Sequence, residues 1–284
     1  MSPNQTTTPM LFDRALLWRR QQRAARLGPA SFLLDRVAED MQERLAAVMR
    51  DFTAAADIWT PGEGLKTRLR QRLPSLIHIA PPEASQEEML SLAPGSLDLA
   101  LSALAFQFVN DLPGVLAQLR RALKPDGLLL AAMIGGDTLT ELRQVFAAAE
   151  AECEGGLSPR VAPFADLRDV GSLLQRAGLA LPVTDVDRIV VRYDNAFALM
   201  ADLRRMGATN VLLERRRTPT RRGTLLKMAQ LYAERFADPD GRIRATFDVV
   251  WLSGWAPHES QQKPLRPGSA KVSLAEALKK AKGT

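Results

Sequence analysis

Strand-length apolar segments alternate, in the middle of this chain, with segments whose apolar residues recur at helical spacing. The segment 128–134 carries no charge, and the segment 97–101 carries a single acid among apolar residues. Such segments are typical of strands that are buried on both faces of a sheet. Strands that alternate with helices predict a mostly parallel sheet with helices on both sides. The sequence therefore predicts an α/β fold.

The second half of the chain departs from this alternation. Residues 183–193 alternate apolar and charged side chains, as a half-exposed strand does, and residues 246–255 indicate a last strand. We expect these two strands to pair as an antiparallel hairpin at the edge of the sheet. Residues 196–206 and 225–236 predict two helices, which would be inserted between those strands and flank an arginine-rich loop.

The chain length of 284 residues favours one core domain with added segments. We divide the chain into a disordered tail (1–10), N-terminal helices (11–52), an α/β core (53–194), inserted helices with a basic loop (195–240), and a last strand with a C-terminal tail (241–284).

The composition excludes several classes of protein. With 46% hydrophobic and 25% charged residues, the chain is typical of a globular protein. Its apolar runs are shorter than the roughly 18 residues that cross a bilayer. The single cysteine, Cys153, excludes a disulfide framework or a multi-thiolate metal site within the chain. Its helical surroundings favour a plain thiol over a nucleophile.

The net charge of +6 is concentrated in two arginine clusters, within residues 14–26 and 215–222. Clusters of this kind can contact phosphates or acidic surfaces, or form a solvated face. No interleaved aromatic residues or nucleic-acid motif accompany them, which disfavours nucleic-acid binding. The first cluster, on a predicted helix, is also compatible with contact with a membrane surface or an acidic partner.

A ligand site in such a fold is expected at the carboxyl ends of the strands. In the first strand-to-helix turn, glycines let the backbone approach a ligand, and the helix N-terminus offers N–H groups to it. An acid at the end of the second strand can then accept hydrogen bonds from ribose hydroxyls. These requirements direct attention to residues 60–64 and to the residue at position 78.

Several motifs carry a family resemblance. Residues 97–102 and 108–113 look like the fourth strand and following helix of class I methyltransferases, and 123–127 resembles the entry to their fifth strand. More specific are the motifs 135–143, 154–159, 258–261 and Gly268-Ser269-Ala270. Together they resemble the respiratory complex I assembly factor 5 family, mitochondrial proteins with bacterial relatives that are similar to malonyl-carrier-protein methyltransferases. The likeness runs from about residue 12 to residue 274.

The resemblance implies a Rossmann-like class I methyltransferase fold with S-adenosylmethionine as ligand. It also implies a subunit of complex I as the protein partner, because the mitochondrial member is an arginine hydroxylase that acts on such a subunit. Fold alone does not determine activity. Methyl transfer, hydroxylation, and an assembly factor that keeps the fold without cofactor or catalysis therefore stay open.

The first loop departs from the family pattern Asp-Leu-Gly-Cys-Gly-x-Gly. Alignment on Gly62-Glu63-Gly64 places Thr60 at the first glycine and Pro61 at the cysteine, while Asp57 falls one residue early. The Cβ of Thr60 opposes close backbone approach, and Pro61 lacks an N–H group. Glu63 could offer a substitute carboxylate, or it is a solvated acid at the helix start.

Two further departures fall at the same predicted edge. The segment Ile77-His78-Ile79-Ala80 replaces the family's Ala-Asp-Ile-Ala, and Gln107 replaces the family's histidine. His78 would then replace the ribose carboxylate, or it is a strand-end residue without a role. Loss of two charge-assisted hydrogen bonds costs about 3–6 kcal/mol, which is roughly a 100-fold to 10,000-fold loss of affinity.

The end of the next predicted strand offers a second candidate surface. Gly135-Gly136 closes that strand, and Asp137, Thr138 and Glu141 predict a helix N-cap with an acid in its first turn. The same position would face the ligand crevice, so both roles stay open. No catalytic residue is assigned.

Four polar residues elsewhere have alternative explanations. Arg143 and Glu154 would contact a partner or substrate, or form an ion pair on a helix face. His258 and Glu259 are too few to form a metal site, and we assign no metal.

We expect a cytoplasmic bacterial protein. The resemblance to the family begins near residue 12, so that only about ten residues precede it, too few for a cleavable transit peptide. The abundance of arginine, alanine and leucine in the chain is typical of a bacterial protein.

Overall fold

The computed structural model describes residues 10–82 and 88–262. The predicted disordered tail, apart from residue 10, and the C-terminal tail beyond residue 262 lie outside the described residues. The motif Gly268-Ser269-Ala270 also lies outside them. Within the described part of the chain, no helix combines the length and the apolar character needed to cross a membrane.

One mixed sheet organises the described residues, with strand order β2-β1-β3-β4-β6-β5. Strands β1 to β4 run parallel to one another, and β6 is antiparallel to both β4 and β5. This confirms a mostly parallel sheet with an antiparallel edge hairpin. The strands are β1 (Ala55–Ile58), β2 (Ile77–Ile79), β3 (Leu97–Ala103), β4 (Leu123–Gly135), β5 (Ala180–Tyr193) and β6 (Ile243–Trp255).

Helices cover both faces of this sheet, and two of them, α7 and α8, lie between β5 and β6 in the chain as predicted. The helices are α1 (Arg14–Leu27), α2 (Phe32–Ala47), α3 (Gly64–Leu69), α4 (Leu112–Ala122), α5 (Thr140–Glu154), α6 (Leu167–Arg176), α7 (Ala196–Arg205) and α8 (Arg222–Phe236), with a short 3₁₀ turn at Phe106–Phe108.

Alternating side chains of the central strands divide the interior into two hydrophobic clusters. Leu99 and Leu101 of β3 pack with α2, α5 and α8 on one face, whereas Ala100 packs with α4 and α6 on the other. Successive strand residues point to opposite faces, so a strand buried on both sides must be apolar throughout. The apolar runs recognised in the sequence correspond to this arrangement.

Two strand assignments change in the structure. The segments matched to the family's fourth and fifth strands are β3 and β4, the third and fourth strands among the described residues. Strand β4 also begins at Leu123 rather than at residue 128, because Leu123 already pairs with Leu97 ahead of a register shift. Asp126 has a φ of 61° within that irregular stretch, which is typical of a bulge in a strand.

Helix α2 supports the face of the sheet that α5 and α8 also cover, and Met41 at its centre is fully buried. We expect Met41→Ala to lower the free energy of unfolding by about 2–5 kcal/mol, because it leaves a cavity in a packed core. Met49→Ala is the matched control, since Met49 is 96% exposed, and its effect should stay within about 0.5 kcal/mol. Urea denaturation followed by circular dichroism measures both; equal losses would contradict this packing.

Candidate functional site

Trp59 follows the last residue of β1 and lies in the space where the strand ends would receive a ligand. It is buried, and its ring packs edge-to-face on Phe106, with the ring centroids 6.5 Å apart. Trp59 and Leu104 line the same cavity with positive φ angles of 61° and 52°. Such backbone costs about 1–3 kcal/mol for a residue other than glycine. The packing of the Trp59 ring therefore offsets a local strain.

Thr60, assigned from the sequence to the cofactor loop, is a buried link between two strands. Its Oγ1 accepts a hydrogen bond from the Ala103 N–H at 2.9 Å. The rest of the loop turns outward: Gly62, Glu63 and Gly64 are exposed, and Glu63 makes no side-chain bond to cap α3. Thr60 is thereby separated from the three loop residues with which the sequence grouped it.

Asp57 and His78 form a pair that was not foreseen from the sequence. They are in register on β1 and β2, and His78 Nδ1 lies 3.0 Å from Asp57 Oδ2. Burial raises the pKa of the Asp57 carboxyl, while hydrogen bonds from Thr60 and His78 oppose that rise. His78 is thus the partner of a buried acid. Only the strand register could have revealed this, because the two residues are far apart in the chain.

The cavity beside Trp59 is small, with a volume of about 60 Å³. Pockets that hold small ligands usually measure about 300–1,000 Å³. Helix α1 closes the cavity from outside, and residues that follow β1, β2 and β3 form the rest of its wall. Lining residues include Leu17, Trp18, Trp59, Pro61 and Phe108.

Gln107 bridges the end of β3 to the end of β4. Its side-chain amide donates to the Leu104 carbonyl at 2.6 Å, and its oxygen accepts from the Ile134 N–H at 3.4 Å. Both ends of the side chain are therefore engaged with the backbone. The residue that replaces the family's histidine has a structural function in this chain.

The residues after β4 pack tightly against β6. A Cβ on Gly135 would lie 2.5 Å from Val250 Cγ2, and one on Gly136, whose φ is 54°, would lie 2.7 Å from Asp248 Oδ2. The Thr138 hydroxyl is buried and donates to the Gly135 carbonyl at 2.7 Å. Both positions need glycine because β6 lies too close to leave room for a Cβ atom. The two glycines are therefore explained without a bound ligand.

The predicted N-cap at Asp137 and Thr138 is wrong. Helix α5 begins at Thr140 and is preceded by Leu139, whose φ is 54° and which makes no side-chain cap. Glu141 lies in the first turn of α5 as predicted, but it is buried and accepts from the Thr246 N–H at 3.2 Å. Contacts with β6 override the local capping preference.

Arg188 of β5 joins two acids near this position. It donates to Asp248 at 2.7 and 2.8 Å and to Asp137 at 2.9 Å. Burial alone would raise the pKa of the Asp248 carboxyl. The hydrogen bonds from Arg188 and from the Asp137 N–H lower this pKa by more than burial raises it, so that it lies below its ordinary value. Asp248 is therefore an ionised anchor between β4, β5 and β6.

Arg143 and Glu154 do not pair with each other. Arg143 donates to the Ala162 carbonyl at 3.2 Å, whereas Glu154 accepts from the Thr224 hydroxyl at 2.6 Å and forms an ion pair with Arg216.

The remaining candidates lie apart from the crevice. Cys153 is exposed, and His258 Nδ1 lies 2.7 Å from the hydroxyl of Ser260. Among residues 10–82 and 88–262, no group of three or more His, Cys, Asp or Glu side chains could hold a metal ion.

Comparison with known proteins defines the class. Residues 54–131 match the methyltransferase domain family. The solved YcgJ protein of Bacillus subtilis superposes with a TM-score of 0.51 at 12% identity, covering 78% of this chain and 99% of that one. At that identity the likeness shows the fold alone, which is the Rossmann-like class I methyltransferase fold predicted from the sequence.

The relatives define the family. The chain is 36% identical over 305 residues to the human "Arginine-hydroxylase NDUFAF5, mitochondrial", covering 97% of this chain and 86% of that protein. It is 47% identical over 182 residues to the Dictyostelium discoideum protein of the same name, covering 64% of this chain but only 42% of the relative. The chain belongs to the NDUFAF5 family of complex I assembly factors.

Two further expectations are tested by the relatives. The similarity to malonyl-carrier-protein methyltransferases is confirmed: the Laribacter hongkongensis malonyl-[acyl-carrier protein] O-methyltransferase is 39% identical over 206 residues, covering 72% of this chain and 65% of that protein. The expected cytoplasmic location is contradicted, because the NDUFAF5 relatives are named as mitochondrial proteins. Chain composition and the position where a resemblance begins carry no physical information about location.

Asp248→Asn tests the anchor between β4, β5 and β6. Because folding lowers the pKa of Asp248, the carboxylate contributes stability above its unfolded pKa of 3.8, and that contribution is lost as the pH falls below this value. We expect the substitution to cost about 1–3 kcal/mol at pH 7. The difference from the wild type should shrink as the pH falls from 4 toward 2, measured by urea denaturation along a pH series.

Asp137→Asn is the control, since that carboxylate is 70% exposed and should matter less. A pH-independent loss for Asp248→Asn would show that the ion pair contributes nothing.

Proposed function

We propose that this chain acts in complex I assembly by binding a subunit of that complex as a protein client, and that S-adenosylmethionine takes no part in this role. Membership of the NDUFAF5 family supports the choice of client. The exclusion of S-adenosylmethionine rests on the buried Trp59 ring, which packs on Phe106 at the carboxyl ends of β1 and β3.

The space at this edge argues against an adenosine-type cofactor. The cavity of about 60 Å³ is several times smaller than the roughly 300 Å³ at the lower end of ligand pockets. Entry of a nucleoside would require Trp59 to leave Phe106 and α1 to move outward. Both movements expose apolar surface, which opposes them.

The polar groups at this edge also fail to fit that cofactor. Thr60 uses its hydroxyl oxygen on the Ala103 N–H, and Pro61 has no N–H to offer. Asp57 is fully buried against His78, and His78 stands where the family has the ribose acid. A replacement carboxylate would have to come from Glu63, on the exposed side of the loop. These features support client binding over methyl transfer.

A second candidate is modification of an arginine in that client, the activity stated in the names of the NDUFAF5 relatives. The Asp57–His78 pair favours it, because an imidazole oriented by a carboxylate is a side chain suited to general acid–base chemistry. His78 keeps 14% of its side chain exposed, whereas Asp57 is fully covered, so the imidazole is the accessible member of the pair.

Titration calorimetry with S-adenosylmethionine tests the cofactor part of the proposal. We expect no heat of binding at millimolar ligand, because the Trp59 ring fills the crevice. The Laribacter hongkongensis malonyl-carrier-protein methyltransferase, titrated in parallel, controls for ligand quality. Wild-type binding tighter than about 100 µM that Gly62→Arg abolishes would contradict the proposal.

Affinity capture tests the client part. We expect the tagged full-length chain, expressed in cells that contain complex I, to recover complex I subunits without added S-adenosylmethionine. Recovery of none would contradict the proposal.

Mass spectrometry of the recovered subunits separates the two candidates. An arginine that gains one oxygen atom with the wild-type chain but not with His78→Gln would establish modification. Unmodified arginines would leave binding as the function.

A further inference from the structure

A second cavity lies between α5 and the segment after it, and it shares no lining residue with the crevice beside Trp59. Its volume of about 320 Å³ falls within the range of about 300–1,000 Å³ that is typical of ligand pockets. Much of its wall is the motif 154–159, which carried the family resemblance but has no part in the crevice. We call it the α5 groove; it is lined by Arg143, Phe146, Ala147, Leu157, Ser158, Pro159, Arg160 and Val161.

A buried acid holds the wall of the α5 groove in place. Gly155, with a φ of 68°, ends α5 and lets the chain turn back. Glu150, 1% exposed, then accepts from the Ser158 N–H at 2.8 Å and from its hydroxyl at 2.7 Å. Glu150 also forms an ion pair with Arg160. A buried carboxylate satisfied in this way fixes the returning segment, so the groove is a preformed feature of the surface.

The groove is continuous with the arginine-rich loop. Arg160 lies 5.3 Å over the Phe146 ring and donates to the Thr220 hydroxyl at 2.8 Å. Glu154, at the end of α5, pairs with Arg216 of the same loop. The loop that precedes α8 therefore packs beside the groove.

The arginines of this region differ in whether they form ion pairs within the fold. Arg160 and Arg216 have acidic partners, whereas Arg217 and Arg222 are exposed and, within the described part of the chain, make no ion pair. Arg143 is exposed; its side chain donates to the Ala162 carbonyl and, among the residues that the structure describes, forms no ion pair. An apolar floor lined by the exposed Arg143, with the exposed Arg217 and Arg222 on the adjoining loop and the start of α8, is complementary to an acidic surface that carries an apolar side chain.

We propose that the α5 groove is the docking site for an acidic segment of the protein client. One apolar side chain of that segment enters the cavity between Phe146 and Leu157, and its neighbouring carboxylates face Arg143, Arg217 and Arg222. Leu157 is 70% exposed, so a client would bury it. The inference rests on the proposed function, because it specifies where the client binds.

Fluorescence anisotropy with a labelled synthetic peptide tests the docking site on the full-length chain. The probe carries one central phenylalanine flanked by glutamates and aspartates, and a matched probe carries serine instead. We expect the phenylalanine peptide to bind at least about ten-fold more tightly, because it fills the cavity. Leu157→Ser and Arg222→Glu should each weaken its binding by a similar factor.

Arg235→Glu is the matched control for charge. Arg235 is exposed at the far end of the same helix, roughly 20 Å from Arg222 along its axis, so its reversal should leave affinity within about two-fold. Val183→Ser controls for Leu157→Ser, since Val183 is 60% exposed on β5. Circular dichroism checks that each variant is folded.

Three results would overturn the proposal. Equal binding of the two peptides would show that the cavity is unused. Equal weakening by Arg222→Glu and Arg235→Glu would indicate bulk charge. Displacement of the peptide by a single-stranded RNA of equal charge at lower concentration would indicate a nucleic-acid surface, with the steep salt dependence of such binding.

Affinity capture with the same variants distinguishes this failure from failure of the proposed function. If the wild-type chain recovers complex I subunits and Leu157→Ser recovers them equally, the docking site is wrong while client binding stands. If the wild-type chain recovers none, client binding itself is wrong.

Discussion

The position of β6 between β4 and β5 is the constraint on which much of this structure depends. Because β6 runs antiparallel to both neighbours, it brings Val250 and Asp248 against the end of β4. The glycines at 135 and 136 are then required by the close approach of these side chains. Asp137 likewise takes part in the Arg188–Asp248 ion-pair network. A surface that in sequence resembles the rim of a ligand site is thus occupied by the sheet itself.

The changes at the first loop compensate for one another. A carboxylate at position 57 points into the protein and is fully buried, which is costly without a partner. The in-register neighbour on β2 is His78, whereas the family's acid at that position would set two carboxylates side by side and raise the cost further. His78 therefore follows from Asp57. The side chains of Thr60 and Trp59 also point into the protein, where they join β1 to β3 and to Phe106.

The features that the sequence predicted are those determined by local pattern. Predominantly apolar runs identified β3 and β4, and alternation of apolar and charged residues identified β5, because burial on two faces or on one determines the order of residues along a strand. The features it missed depend on which strands are neighbours. Neither the Asp57–His78 pair nor the loss of the N-cap at Asp137 could be recognised before the register of β1 with β2 and of β4 with β6 was known.

The distribution of charge separates the two surfaces in physical terms. At the crevice, Asp57 Oδ2, the Thr60 hydroxyl oxygen and the Gln107 amide each have a partner within the fold, whereas Asp57 Oδ1 is buried without a hydrogen-bond partner among the described residues. At the α5 groove the buried Glu150 and the half-buried Glu154 use the fold's own arginines, while the outermost arginines keep their charge facing water. An arginine left in water costs the folded state little, yet it attracts an acidic partner over a distance of about 10 Å. The contacts that close the crevice stabilise the fold. The unpaired charge at the groove adds nothing to the stability of the isolated chain, and it gains a physical role only when an acidic partner is bound.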